Sequence, residues 1–210
     1  MEILEKMCDA LIKGRAPEVK ALMEEALKTG IEPGKILNEG LVKGMGIVGE
    51  RFKKNEVYVP EVLIAARAMK AGMELLRPRL ISAGVKPLGV AVIGTVKGDL
   101  HDIGKNLVGM MLEGAGFQVV DAGVDVSPEK FLELAKANNA SIIGVSALLT
   151  TTMTNMKLVV EAVEASPLKG KCKVIIGGAP VTQAFADEIK AAGYSADAAS
   201  AADLAKKLCA

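Results

Sequence analysis

The spacing of apolar residues changes once along this chain of 210 residues, near residue 85. Before that point, apolar residues recur every three or four positions, as in MEILEKMCDALIKG, which is typical of amphipathic helices. After it, short β-rich runs alternate with amphipathic helical segments, the pattern of a parallel sheet covered by helices on both faces. The sequence therefore predicts two domains, a helical one over residues 1–85 and an α/β one over residues 86–210.

Four helices make up the predicted N-terminal domain. The first two follow each other directly, and Pro17 and Gly30 suit the start and the end of the second helix. A third helix is predicted over residues 33–52, and a fourth begins near Pro60. Because the connections between these helices are short, we expect a four-helix bundle.

Five strands, each followed by a helix, are predicted in the C-terminal domain. The strand segments are GVAVIGTV, FQVVDAGV, SIIGVSAL, CKVIIGG and a weak last one around YSADAA. The helices begin near Asp102, Ser127, Thr152, Thr182 and Ser200. This order predicts a doubly wound parallel sheet of the flavodoxin-like or Rossmann-like kind. In such sheets, ligands bind beyond the carboxyl ends of the strands, where the winding direction reverses.

Composition excludes several classes of function. The 26 Lys and Arg residues nearly balance the 25 Asp and Glu residues, and aromatic residues make up 3% of the chain, so we expect no nucleic-acid binding. No apolar stretch approaches the roughly 20 residues of a membrane helix, and no signal peptide is visible. The three cysteines form no CxxC pair, which disfavours a disulfide framework and a structural zinc site. We expect a cytoplasmic protein without a membrane partner.

Three loops that follow predicted strands have unusual sequences. The first, GTVKGDLHDIGKN, contains His101, the only histidine of the chain. The second, SALLTTTMTNM, is rich in hydroxyl groups, and the paired glycines of the third, IIGGAPVT, admit a flat ligand or another backbone. Neither the GxGxxG of dinucleotide-binding proteins nor a P-loop is present. Together the loops predict a narrow hydroxyl-lined slot, although each alone is also typical of a helix cap, a turn or a structural histidine.

The order and spacing of these loops resemble the cobalamin-binding domain, whose pattern is DxHxxG, then SxL, then GG. The matching residues are Asp99, His101, Gly104, Ser146, Leu148, Gly177 and Gly178. The helices of residues 1–85 resemble the cap that precedes this domain in methionine synthase and in small corrinoid proteins of anaerobic methyltransferase systems. The stretch ERFKKNEVYVPEVLIAARAMK is similar to the signature of that cap. The resemblance covers nearly the whole chain.

The resemblance implies that the cofactor is cobalamin or a related corrinoid, whose cobalt carries a methyl group in the methylcobalt form. His101 is then the lower axial ligand of cobalt, and Asp99 holds the other ring nitrogen of His101. Gly104 would leave room for the corrin ring. The nucleotide tail of the cofactor would enter a slot formed by Ser146, Thr150, Gly177 and Gly178.

The resemblance also implies roles for Thr152 and for three cap residues. Family members often carry a serine that completes a hydrogen-bonded relay with the aspartate and the histidine, and the aligned residue here is Thr152. In the cap, Phe52 aligns with an aromatic residue that covers the upper, methyl-bearing face of the corrin, and Val59 and Val62 lie at neighbouring apolar positions. Alternatively, these three residues belong only to the core of the bundle.

The function that the resemblance implies is that of a methyl carrier. A substrate-specific methyltransferase would load the methyl group, and an acceptor methyltransferase would pass it to tetrahydrofolate or to a thiol such as coenzyme M. A corrinoid-reactivating protein is a further candidate partner. The chain would be a subunit without catalytic residues of its own, and not a complete enzyme. The donor stays open among methanol, methylamines, methylthiols and methoxylated aromatics.

Three other functions stay open at this point. A cobalamin-sensing regulatory module would act with a DNA-binding partner, although no basic helix-turn-helix segment is visible. The small subunit of an adenosylcobalamin mutase would resemble residues 88–210 but would lack the four-helix cap. An α/β interaction domain without a cofactor would leave the three loops unexplained.

Overall fold

The computed structural model describes residues 2–210, and the chain divides into two compact units. The first unit runs to Pro87 and includes Gly114–Gly116, and the second contains Leu88–Glu113 and Phe117–Ala210. The domain boundary that the sequence predicts, at residue 85, stays a prediction. Among the helices of the described residues, none combines the length and the apolar character needed to cross a lipid bilayer.

The first unit is helical. Its elements are α1 (Glu2–Ile12), α2 (Ala16–Lys28), α3 (Pro33–Lys35), a π-helical segment (Ile36–Val42), α4 (Lys43–Lys53) and α5 (Val59–Ser82).

The third predicted helix is one helical run that contains the π-helical segment, because the backbone stays in the right-handed helical region at both junctions. Apolar spacing does not predict such a wider turn. Gly40 lies in this segment, where a Cβ atom would be 2.9 Å from the Sδ of Met7. Glycine therefore lets the segment approach α1 closely.

The second unit alternates strands and helices along the chain. The elements are β1 (Val90–Thr95), α6 (Ile103–Gly114), β2 (Gln118–Asp121), α7 (Pro128–Ala137), β3 (Ile142–Ser146), α8 (Thr150–Met153), α9 (Asn155–Glu164), β4 (Lys173–Gly177), α10 (Gln183–Glu188), β5 (Gly193–Tyr194) and α11 (Ala198–Cys209).

Side chains at the helix starts explain several of these boundaries. The hydroxyl of Thr182 accepts a hydrogen bond from the backbone N–H of Phe185 at 3.2 Å, and α10 begins at the next residue after Thr182. Ser127, followed by a proline, caps α7 in the same way. Two details differ from the sequence prediction: the helix expected from Thr152 is two helices, α8 and α9, and β5 is only two residues long.

All five strands are parallel, in the order β2-β1-β3-β4-β5. This is the flavodoxin-like order, so the predicted fold class is confirmed. The winding direction reverses between β1 and β3, and the register there places Thr95 beside Ser146 and Ser146 beside Gly177. The sheet therefore brings the loops after β1, β3 and β4 to one edge.

Candidate functional site

The loop after β1, residues 96–102, leaves the sheet where the winding direction reverses. Its path is held at the strand end by two hydrogen bonds. The fully buried hydroxyl of Thr95 donates to the carbonyl of His101 at 2.9 Å, and the N–H of Asp99 donates to the carbonyl of Val96 at 3.1 Å. The loop therefore folds back over the end of β1 and presents His101 there.

The carboxylate of Asp99 is the centre of the site and is fully buried. Its Oδ1 accepts from the N–H of His101 at 3.1 Å and lies 2.7 Å from Nδ1 of the same residue. Its Oδ2 accepts from the N–H groups of Leu148 at 2.8 Å and Leu149 at 3.3 Å. The Oγ1 of Thr152 donates to the same oxygen at 2.7 Å. The structure therefore brings Asp99, His101 and Thr152 together.

These hydrogen bonds determine the charge of Asp99. Burial by itself raises the pKa of this carboxyl group, because it removes the carboxylate from water. The hydrogen bonds from Thr152, Leu148 and His101 have the opposite effect and outweigh burial, so the pKa of Asp99 lies well below its usual range. The group is therefore ionised at neutral pH.

An ionised carboxylate only accepts hydrogen bonds, so the hydrogen shared with Asp99 belongs to Nδ1 of His101. In the neutral imidazole, the lone pair then lies on Nε2. The side chain is 51% exposed, and the hydrogen bonds of the described residues leave Nε2 free. The site thus presents one imidazole nitrogen, in a single tautomer, to a ligand above the loop.

The hydroxyl groups predicted to line a slot differ in exposure. Ser146 ends β3 and is half-buried, and Thr150 begins α8 and is exposed. Thr152 is buried against Asp99. Of these three hydroxyl groups, the structure joins only that of Thr152 to the histidine loop, and the contacts of Ser146 and Thr150 with a cofactor stay predictions.

The motif glycines have two different surroundings. A Cβ atom at Gly104 would meet nothing within 4 Å, so the space above the start of α6 is open. At Gly178, φ is +134°, and a Cβ atom would clash with the carbonyl oxygen of Ala147. A Cβ atom at Gly177 would lie 3.1 Å from the carbonyl oxygen of Ser195. The paired glycines thus allow neighbouring backbones to approach.

The three cap residues all lie where α4 ends and α5 begins. Phe52 and Val59 are half-buried, whereas Val62 is fully buried. The turn between the helices is closed by the N–H of Tyr58, which donates to Oε2 of Glu61 at 3.0 Å. The burial of Val62 favours the alternative that this residue belongs to the core, and the roles of all three stay predictions.

The ion pairs beside the histidine loop, residues 96–102, were not predicted from the sequence. Lys105 is only 4% exposed, and its Nζ lies 2.6 Å from both carboxylate oxygens of Asp121 at the end of β2. The exposed Nζ of Lys97 lies 3.2 Å from Oδ2 of Asp125. The only signal was the place of Lys105 directly after Gly104, and nothing in the sequence indicates its partner.

The site fits the expected corrinoid. In the described part of the chain, no group of three or more His, Cys, Asp or Glu residues could hold a metal ion, so a metal at His101 must bring its other ligands with it. A corrin ring supplies these ligands. Apolar side chains that would suit such a flat ring are exposed next to His101 in the sequence and in the segment whose N–H groups bond to Asp99, those of Leu100, Ile103, Leu148 and Leu149.

The chain is similar to known proteins along nearly its whole length. Residues 89–203 and residues 3–77 each match a family described as a B12 binding domain. The dimethylamine corrinoid protein of Methanosarcina barkeri is 45% identical over 208 residues, which are 99% of this chain and 97% of that protein.

Two solved structures are also similar. A chain of the methanol:cobalamin methyltransferase complex MtaBC from Methanosarcina barkeri superposes with a TM-score of 0.87 at 29% identity, over 99% of this chain and 80% of that one. A cobalamin-binding protein from Desulfitobacterium hafniense gives 0.81 at 29% identity, over 98% of both chains. The chain therefore belongs to the family of B12-binding corrinoid proteins, and its cofactor is a corrinoid.

Proposed function

We propose that this protein carries a methyl group between a substrate-specific methyltransferase and an acceptor methyltransferase. The observation that carries the proposal is the half-exposed imidazole of His101, whose Nδ1 is held by the buried carboxylate of Asp99 and whose Nε2 is free. When bound, the corrinoid supplies a cobalt centre that accepts and releases the methyl group. The protein would hold the corrinoid through the imidazole of His101, would fix the orientation of that ring and would supply the binding surface.

Each residue of the histidine loop has a task in this proposal. His101 presents Nε2 to the metal, while Asp99 fixes the tautomer and makes the ligand more basic. The hydroxyl of Thr152 holds the carboxylate in place. The open space at Gly104 receives the ring. The nucleotide tail is assigned to Ser146, Thr150, Gly177 and Gly178, Leu148 is a further contact of the cofactor, and the upper face is assigned to Phe52, Val59 and Val62.

We infer that the donor is a methylated amine. Relatives named as dimethylamine and trimethylamine corrinoid proteins are 41% to 45% identical to this chain, whereas the chain from the methanol complex is 29% identical. The solved chain comes from a complex with a methyltransferase, which supports the role of a subunit that needs a partner. The acceptor stays open between tetrahydrofolate and a thiol.

The other functions are less well supported. The small subunit of a mutase would lack the helical cap, whereas residues 3–77 match a B12 binding domain family in their own right. A regulatory module remains the main alternative, and an activity test distinguishes it. A corrinoid-loaded carrier supports methyl transfer from the donor to the acceptor only when both methyltransferases are added. A regulatory module does not support this transfer at all.

The ligand assignment can be tested by labelling one residue. Because His101 is the only histidine, growth with ¹⁵N-histidine labels a single imidazole in the protein. We expect the electron paramagnetic resonance spectrum of the corrinoid-loaded protein, in its cobalt(II) form, to change its nitrogen splitting on labelling. The corrinoid's own base is unlabelled and cannot produce that change.

His101→Ala is the control for this experiment. The variant should retain the fold, since the side chain is half exposed, and should lose the histidine coupling. An unchanged splitting after labelling of the wild-type protein would show that cobalt has another axial ligand, and would remove the main support for the proposal.

A further inference from the structure

The loop that carries His101 is flanked by two lysines that pair with a single neighbouring segment. Lys97 lies four residues before the histidine, and Lys105 lies four residues after it. Lys97 pairs with Asp125, and Lys105 pairs with Asp121. Both carboxylates belong to residues 121–126, which lead from the end of β2 toward α7. We call this segment the brace.

The backbone of the brace runs beside β1 and the histidine loop. Four hydrogen bonds join them, at distances of 2.7 to 3.0 Å: Ala122 N–H to the carbonyl of Ile93, Thr95 N–H to that of Gly123, Val126 N–H to that of Thr95, and Asp125 N–H to that of Asp99. The last bond lies beyond the end of the strand. The hydrogen bonds between the brace and β1 therefore continue past the end of the strand into the histidine loop.

Asp125 makes hydrogen bonds to the histidine loop on both sides of the peptide bond between Gly98 and Asp99. Its N–H donates to the carbonyl of Asp99 at 3.0 Å, and its Oδ1 accepts from the N–H of Gly98 at 2.7 Å. Both Asp125 and Gly98 have positive φ angles, +55° and +84°. Two left-handed turns are thus locked against each other next to the carboxylate that orients the imidazole.

Lys105 holds the end of the histidine loop that leads into α6. Its ammonium group is buried in the first turns of α6, and a buried charge requires a partner. Both oxygens of Asp121 lie 2.6 Å away, and Oδ1 of Asp121 also accepts from the N–H of Gly123 at 2.8 Å. The start of α6 is therefore tied to the end of β2.

We propose that the brace positions the axial ligand, and that Asp125 is a positioning residue that acts on His101 through Asp99. This inference rests on the proposed role of His101. The bond from Nδ1 of His101 to Asp99 is 2.7 Å long and needs the carboxylate at one angle. If the loop were released from Asp125, the carboxylate of Asp99 would no longer be held at that angle to Nδ1. The imidazole would then be free to change its tautomer.

The single histidine also makes this proposal testable without the cofactor. In the full chain free of corrinoid, labelled with ¹⁵N-histidine, the nitrogen chemical shifts at a pH where the ring is neutral report its tautomer. We expect the wild-type ring to carry its hydrogen on Nδ1. In Asp125→Gly, which removes the carboxylate and suits a φ of +55°, we expect the mixture of tautomers of a free imidazole.

Asp125→Asn is the conservative variant. Asparagine tolerates a positive φ and keeps an oxygen for the N–H of Gly98, while it loses the ion pair with Lys97. That ion pair is exposed, so its loss has little effect. We expect the tautomer of Asp125→Asn to match that of the wild-type protein, which would separate hydrogen bonding from charge.

Glu133→Gln is the matched control, because it breaks an exposed ion pair of 2.8 Å with Lys130 on α7 and touches neither the loop nor the brace. It should leave the imidazole spectrum unchanged. Lys105→Met tests the other end of the brace with a side chain of similar length, and it should shift the tautomer in the same direction. This variant carries the test if Asp125→Gly fails to fold.

The corrinoid-loaded protein separates the two proposals. Asp125→Gly should weaken the binding of His101 to cobalt about 10-fold, the lower end of the loss of affinity that changes behind a metal ligand cause. If labelling shows histidine bound to cobalt in the wild-type protein, but Asp125→Gly and Lys105→Met keep the wild-type tautomer, the brace is wrong and the proposed function stands. If the wild-type protein shows no coupling between labelled histidine and cobalt, the proposed function fails, and the tautomer of the variants does not change that conclusion.

Discussion

The two units of this protein bury different kinds of side chain. Among the described residues, the buried polar side chains are four, Thr95, Asp99, Lys105 and Thr152, and all of them lie in the α/β unit, on or next to the histidine loop. Both units have apolar cores, but among the described residues the helical unit buries no polar side chain. Burying a polar group is unfavourable unless it is hydrogen-bonded. This protein accepts that cost where one imidazole must be held in one orientation.

Side chains are held less narrowly in the helical core, by packing, than around Asp99, by hydrogen bonds. The core of the helical unit consists of flexible or branched apolar side chains, including Met7, Leu11, Met23, Ile36 and Leu41. Such contacts are non-directional. Around Asp99, every bond has a direction, and the described residues leave no buried side-chain nitrogen or oxygen without a partner. These directional contacts hold the imidazole of His101 in one orientation.

Because the two units are held by different kinds of contact, we expect that a truncation in the helical core lowers stability most and leaves the imidazole of His101 unchanged. Leu41→Ala truncates a fully buried side chain of the helical unit and should lower the free energy of unfolding by about 2 to 5 kcal/mol. Hydrogen exchange of the α5 amides would measure the loss. The ¹⁵N shifts of His101 should stay those of the wild-type protein, and a changed tautomer would contradict the separation of roles.

The second prediction contrasts the two halves of one ion pair. Asp121→Asn leaves the buried ammonium of Lys105 without a counter-charge and should cost about 3 kcal/mol, the lower end for a broken buried pair, because Asp121 is half exposed. Lys105→Met leaves Asp121 in contact with water and should cost under about 1 kcal/mol. Denaturant unfolding of the two variants measures the difference, and equal losses would show that the burial of Lys105 is not what matters.

The third prediction concerns acid. Because the pKa of Asp99 is lower in the folded than in the unfolded chain, its carboxylate stabilises the fold above the unfolded pKa of about 3.9. This stabilisation is lost as the pH falls toward the lower pKa of the folded state. Asp99→Asn should cost about 1 to 3 kcal/mol at neutral pH, since its amide group faces N–H and O–H donors.

The difference between the wild-type protein and Asp99→Asn should therefore shrink below about pH 4, where the carboxylate gains a proton in the unfolded chain but stays ionised in the folded protein. Unfolding curves at pH 7, 4 and 3 would follow it. Glu133→Gln provides the reference, because its carboxylate is exposed. A difference that stays constant down to pH 3 would mean that folding does not lower the pKa of Asp99.

Much of the fold could be predicted because it follows from local patterns. The change of periodicity near residue 85 predicted the helical part and the α/β part, and the fold class, the family and the corrinoid cofactor are confirmed. The split of one predicted helix into α8 and α9, and the π-helical segment, were not predicted. Both are changes in the hydrogen bonding of a helix that leave the apolar spacing almost unaltered.

By itself, the sequence determined the chemistry of the site. One histidine two residues after an aspartate, with spaced SxL and GG elements, is a local pattern, and it predicted the family and the cofactor. Only the tertiary structure decided what holds that histidine. Apart from His101 itself, the partners of the Asp99 carboxylate lie 49 to 53 residues away, and those of the two lysines lie 16 and 28 residues away. Such contacts depend on strand order and register, which bring distant loops to one edge of the sheet, and no local spacing encodes them.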